Sequence, residues 1–163
     1  MAYTAARVRA VEPELAVDLD ERSIPHEVPS FIGRGDLLGA VHLNKGCYRG
    51  QETVARVENL GRSPRLLVML QLDGSSPELP SPGADVLLGG RTVGRLGTVV
   101  HDADYGPIAL ALVKRSALAD PGVVLDVAGT AATVDPDSLP VDEGEHAGRR
   151  AVEKLRGSTP PRP

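Results

Sequence analysis

The chain is 163 residues long, with 41% hydrophobic and 25% charged side chains. That is the size and balance of one soluble globular domain, and it excludes a large multidomain enzyme, a collagen and a wholly disordered chain. Eighteen basic against 22 acidic side chains leave a formal charge of -4, so no surface-wide positive field gathers polyanions and general nucleic-acid binding is not expected.

In chain order, Ala5, Val8 and Val11 recur at helical spacing up to Pro13 and predict a short first helix. The N-terminal stretch has no apolar run of signal-peptide or membrane-spanning length, so a cytoplasmic chain with no membrane partner is expected. Breakers then crowd the sequence: SerIlePro at 23–25, ValProSer at 28–30, and Gly33 and Gly35. They predict a loop-rich surface of the kind that carries sites. A second helix is predicted from about Gln51 to about Asn59, stopped by Asn59 and Gly61.

From about 64 to 135 the chain reads as six strands: 65–73, 85–88, 92–100, 108–114, 123–127 and 131–134. Leu66, Val68, Leu70 and Leu72 alternate onto one face of the first. With one Phe, three Tyr and no Trp, aliphatic side chains must fill the core, and strands spaced by turns without intervening helices indicate a small antiparallel barrel or sandwich. Leu66, Val68, Leu70, Val99, Leu110 and Leu112 are its expected buried residues. GlyGlyArgThrValGly at 89–94 superficially looks like a phosphate loop, but it lacks the Lys-Ser/Thr ending and precedes a strand, so it reads as a hairpin. Asp102 and Asp104 beside His101 fall in a predicted turn, where exposure is expected. Beyond Pro136 a polar tail is expected, disordered or weakly helical.

Chemistry concentrates at 42–56, HisLeuAsnLysGlyCysTyrArgGlyGlnGluThrValAlaArg. Gly46 and Gly50 flank Cys47 and permit positive φ and the close approach of another molecule. Lys45, Arg49 and the N-terminus of the following helix favour a thiolate, and equally an anionic ligand such as a carboxylate tail. The same residues also allow Cys47 as apolar filler and Tyr48 either as a stacking platform or as a plug. His42 and the single cysteine do not complete a tetrahedral metal site or a disulfide. His26 and Glu27, after Pro25, suit structural hydrogen bonds.

LysGlyCysTyrArgGlyGlnGluThrValAlaArg at 45–56 resembles the signature of the folate-binding YgfZ family, tRNA-modifying or iron-sulphur cluster assembly factors related to the aminomethyltransferase (T-protein) of glycine cleavage. ArgSerIleProHisGluVal at 22–28 resembles the family's stretch before that signature, and GlyArgSerProArgLeuLeu at 61–67 its entry into a C-terminal barrel. The resemblance implies an α+β fold: a loop-rich N-terminal α/β segment at 1–62, a small antiparallel β-barrel at 63–135, and a polar tail at 136–163. It implies a tetrahydrofolate-dependent factor assisting iron-sulphur cluster assembly or repair, with client enzymes or assembly factors as partners. Carried over residue by residue, Cys47 and Lys45 take the catalytic positions, and Gly46, Tyr48, Gly50, Gln51 and Glu52 the cofactor-binding ones, with no metal ligand.

Family members are about twice this length, and the resemblance implies that the N-terminal half supplying most of their folate pocket lies outside this sequence, which is then a fragment, a mis-called start or a protein retaining only the C-terminal part. The expectation is weak tetrahydrofolate binding by this chain alone, no independent catalysis, and self-association or a separately encoded N-terminal half as partner. Two other readings are an aminomethyltransferase-like enzyme, whose signature is unlike the CysTyr-x-GlyGlnGlu form, and a non-catalytic interaction module in which Cys47 is inert.

Overall fold

The computed structural model describes residues 2–33, 38–75, 78–120 and 122–140. The N-terminal helical spacing produces α1 (Ala2–Arg9), which buries Ala5 and Val8, and a single turn, α2 (Leu15–Asp18), follows Pro13. Two 3-10 turns, Pro25–Glu27 and Pro29–Phe31, each start on a proline and lead into β1 (Ile32–Gly33). That strand pairs in parallel with β2 (Val41–His42). The predicted second helix is α3 (Gln51–Leu60), bounded by Gly50 and Gly61, both left-handed. Gly61 closes it by donating to the carbonyls of Val57 and Glu58.

All six predicted strands form: β3 (Arg65–Leu72), β4 (Asp85–Leu88), β5 (Arg91–Asp102), β6 (Gly106–Lys114), β7 (Val124–Val127) and β8 (Thr130–Val134). They pair antiparallel in the order β3-β6-β5-β4-β7-β8, and β8 returns to β3 to close a barrel with no free edge. Gly89 and Gly90 make the two-residue hairpin between β4 and β5, with Leu88 opposite Arg91. The lumen holds Leu66, Val68, Leu70, Leu96, Leu125 and Val127 with Ala109, Ala111 and Ala132. Alternating small and branched side chains of this kind fill a narrow barrel without aromatic rings.

The alternation read for β3 holds, with Leu66, Val68, Leu70 and Leu72 together in the lumen cluster. The second face of β3 is also buried: Leu67 and Met69 join Ile108, Leu110, Leu112 and Val100 in an outer layer closed by Ala5, Val8 and Val28. Leu110 and Leu112 are therefore buried as expected, but outside the barrel wall rather than within it. The covering strap is residues 2–31, so a strand that would face water has apolar residues on both sides.

Polar contacts fix that strap. β5 carries a register shift between Leu96 and Val99, and such a bulge leaves a backbone group free of the ladder. Thr98 N–H, at the bulge, donates to Asp18 Oδ1 at 2.6 Å, and its hydroxyl donates to Oδ2 at 3.0 Å. Arg7 Nη1 and Glu14 N–H donate to the same Oδ2 at 2.8 and 2.7 Å. Gly97 is required beside them, because a Cβ there would run into Asp18. Arg95 donates to the carbonyls of Val17 and Leu19.

Val99, expected to be buried, is half-buried; the bulge turns it inward, where it lies opposite Ala109 and packs against the lumen cluster. Asp102 is a second correction. It is 4% exposed, because its Oδ1 accepts the Asp104 and Tyr105 N–H groups and turns the β5–β6 hairpin. Those two N–H groups hold its carboxyl below the usual carboxylate range, helped by Arg9. Asp104 is exposed as expected. At the chain's far end, Pro136–Ser138 forms a turn capped by Asp135, and Leu139 packs against the barrel core. The tail expected from 136 thus starts with ordered residues, and its remainder from 141, like Gly35, lies outside the described residues.

Candidate functional site

The stretch from β2 to α3 carries the signature. Lys45 N–H donates to the His42 carbonyl at 3.2 Å, and Asn44 N–H donates to His42 Nδ1 at 3.3 Å, which folds the start of the loop into a tight turn. Gln51 N–H donates to the Tyr48 carbonyl at 3.3 Å, and Val54 N–H donates to that of Gly50. Gly50 has φ 83° and ψ 4° and no side chain caps α3. Its backbone conformation disfavours any residue with a Cβ. Among the described residues no side-chain bond to the first N–H groups of this ten-residue helix stands in for a cap.

Cys47 is exposed. Lys45, Gly46, Arg49 and Glu52 are exposed too, while Gln51 and Tyr48 are half-buried. Tyr48 rests on the small cluster of Ile32, Val41 and Val54, beside Leu43. Lys45 Nζ lies 4.8 Å from the Tyr48 ring centroid, within cation-π range. Tyr48 thus anchors the loop with one side and holds the Lys45 cation with its ring. Glu52 pairs with Arg56 one turn along α3 at 3.6 Å.

Gly46 differs from its expectation. It does not adopt positive φ, and a Cβ built on it meets nothing within 4 Å. Among the described residues its lack of a side chain serves no close contact; Gly50 alone of the pair uses the left-handed conformation. Seven residues expected at the site, Lys45, Gly46, Cys47, Tyr48, Gly50, Gln51 and Glu52, lie on one loop and the first turn of α3. Among the described residues no group of three or more His, Cys, Asp or Glu is arranged to hold a metal ion. Nor is any helix among them long and apolar enough to cross a membrane.

Two arrangements near this segment were not legible as a unit in the sequence. Arg65, the first residue of β3, donates to both Glu27 oxygens at 2.8 and 3.1 Å and to both Asp20 oxygens at 2.7 and 3.0 Å. These bonds hold Asp20 well below the ordinary carboxylate range and push the Arg65 guanidinium further up. Next to Glu27, His26 Nε2 lies 3.0 Å from Glu58 Oε2 on α3. Glu58 follows the buried Val57, at the edge of the helix's apolar face, and that position is the signal that could have flagged it.

Comparison with known proteins adds to this geometry. Residues 65–141 match the family model described as the CAF17 C-terminal beta-barrel domain. The chain is similar to the tRNA-modifying protein YgfZ of Escherichia coli strain CFT073, 34% identical over 106 residues, which is 63% of this chain and 32% of the relative. The same protein from strain K12/DH10B gives the same identity and coverage. The matched stretch spans about a third of the length of these relatives.

Proposed function

We propose that this chain is the C-terminal part of a YgfZ-family protein and contributes to a tetrahydrofolate-binding factor that assists iron-sulphur cluster assembly or repair in the cytoplasm. The observation that carries this reading is the loop LysGlyCysTyrArgGlyGlnGlu, with Lys45, Cys47 and Arg49 exposed at the N-terminus of α3. The residues present fit one end of a folate. Lys45, Arg49 and the α3 N–H groups suit its acidic tail. The aromatic ring finds only Tyr48, which already faces Lys45. A bound folate would supply one-carbon carrying capacity; this chain's residues hold the carboxylate, orient the loop through Tyr48 and present the Cys47 thiol.

The rest of the pocket is supplied by another polypeptide surface. β1 and β2 support this. They form a parallel pair of two residues each, and parallel ladders are ordinarily covered on both faces by further chain. The partner is an N-terminal half of the family's kind or a second copy, and the complete assembly engages iron-sulphur client proteins or their assembly factors. Catalysis by this chain alone is not part of the reading.

Calorimetry with tetrahydrofolate tests it. Ligand sites normally enclose about 70–90% of a drug-sized molecule, so the chain alone binds at a Kd of about 1 mM or weaker. Adding the N-terminal half of a longer relative lowers Kd to the micromolar range, and the gain is lost with Gly50→Val. Tight binding by the isolated chain overturns the shared-pocket reading. No binding in either state overturns folate binding and leaves a protein-interaction module.

A further inference from the structure

We propose that His26 is a positioning residue that latches α3, and with it the signature loop, to the barrel through Glu58. This rests on the reading of the loop as the functional site, and its consequences for α3 can be measured without any ligand. His26 sits in the Pro25–Glu27 turn. The next residue, Glu27, is 1% exposed and bound at both oxygens by Arg65 of β3. The turn is therefore part of the barrel body.

On the other side, α3 buries only Val54 and Val57, and Val54 belongs to a cluster separate from the two apolar clusters of the barrel. A helix held by so little apolar area needs a directional contact to fix its rotation and height. The His26 Nε2 to Glu58 Oε2 contact, 3.0 Å long with the His26 side chain 9% exposed, supplies one. Among the described residues His26 Nδ1 is buried without a hydrogen-bond partner. An imidazole satisfied on one side only is a poor choice for stability alone, since an apolar side chain of similar shape would leave no polar atom orphaned. That pattern fits a residue kept for where it puts Glu58.

The test compares peptide-level hydrogen exchange in the wild type, His26→Leu and His26→Gln. Leucine fills the space without a donor, and glutamine restores an N–H for Glu58. The latch predicts about tenfold faster exchange over residues 51–60 in His26→Leu, the effect of one partly buried hydrogen bond. Exchange in β3 and β6 stays at the wild-type rate, and His26→Gln returns 51–60 to within about twofold of wild type. Cys47 alkylation, read in the same three proteins, changes with Leu and returns with Gln. Unchanged exchange of 51–60 in the Leu variant overturns the latch, as does acceleration throughout the barrel, which marks a general structural role. A latch that behaves as described in a protein that never binds tetrahydrofolate, even with the added half, refutes the folate reading and leaves the latch standing.

Discussion

Residues 2–31 hold the barrel through desolvated charges and a shared apolar layer, whereas residues 38–60 rest on Ile32, Val41 and Val54, flanked by Leu43 and Tyr48. In the first region Asp18, 1% exposed, collects bonds from Arg7, Glu14 and Thr98, and Arg65 ties Asp20 and Glu27 to β3. Buried ion pairs add little net stability compared with apolar packing, but losing one partner is costly, so they specify a single docked position. The second region carries the signature loop and meets the first through the His26–Glu58 contact. Segments that bind or move are drawn from the least stable parts of a fold, and the contrast here separates a rigid body from the element it presents.

The largest expected effect attacks the first region. Asp18→Ala strands the Arg7 guanidinium and the Thr98 N–H in the bulge, and costs about 3–5 kcal/mol. Thermal or urea unfolding checks it, and a loss below about 1 kcal/mol would mean that the strap is held by its apolar layer alone. Next comes the second region. Val54→Ala removes two buried carbons, worth about 1.5 kcal/mol, and that loss appears as faster exchange in α3 with little change in the barrel's unfolding midpoint. A matching fall in the global midpoint would erase the distinction between the regions.

Asp20→Asn sharpens the comparison through pH. Hydrogen bonds from Arg65 hold the Asp20 carboxyl below its ordinary range, so its contribution is present in full above the unfolded value of about 4 and is lost as pH falls below it. The half-exposed setting limits the effect to about 1 kcal/mol. The stability gap between wild type and variant is therefore widest near neutrality and narrows in acid, as paired urea titrations at pH 7 and pH 3 would read. The smallest effect is Cys47→Ser: an exposed side chain in the weakly held segment shifts stability by no more than about 0.5 kcal/mol. A larger loss would make Cys47 structural filler.

Much of the barrel was legible because each strand's own alternation and turn residues report its existence, and α3 because Gln51 to Leu60 ends on Gly61. What the sequence did not disclose depends on neighbours distant in the chain. Leu67 and Met69 read as the outer half of an alternating strand until α1 and Val28 cover them. Val99 packs on the lumen side only because the bulge between Leu96 and Val99 shifts the register. Asp102 reads as an exposed turn residue until its oxygen accepts two N–H groups. At the site, the signature residues were visible as one string, and Gly50 takes the positive φ that its lack of a Cβ permits. That a Cβ at Gly46 would meet nothing among the described residues, by contrast, becomes visible only in three dimensions.

Native-state hydrogen exchange across the whole chain tests the central contrast most directly. The account predicts that residues 4–9 of α1 exchange with the barrel strands, through global unfolding, while 43–60 exchange at least about tenfold faster through local opening. Exchange of 43–60 at the barrel's rate would contradict it, since the signature segment would then be as firmly fixed as the body that carries it.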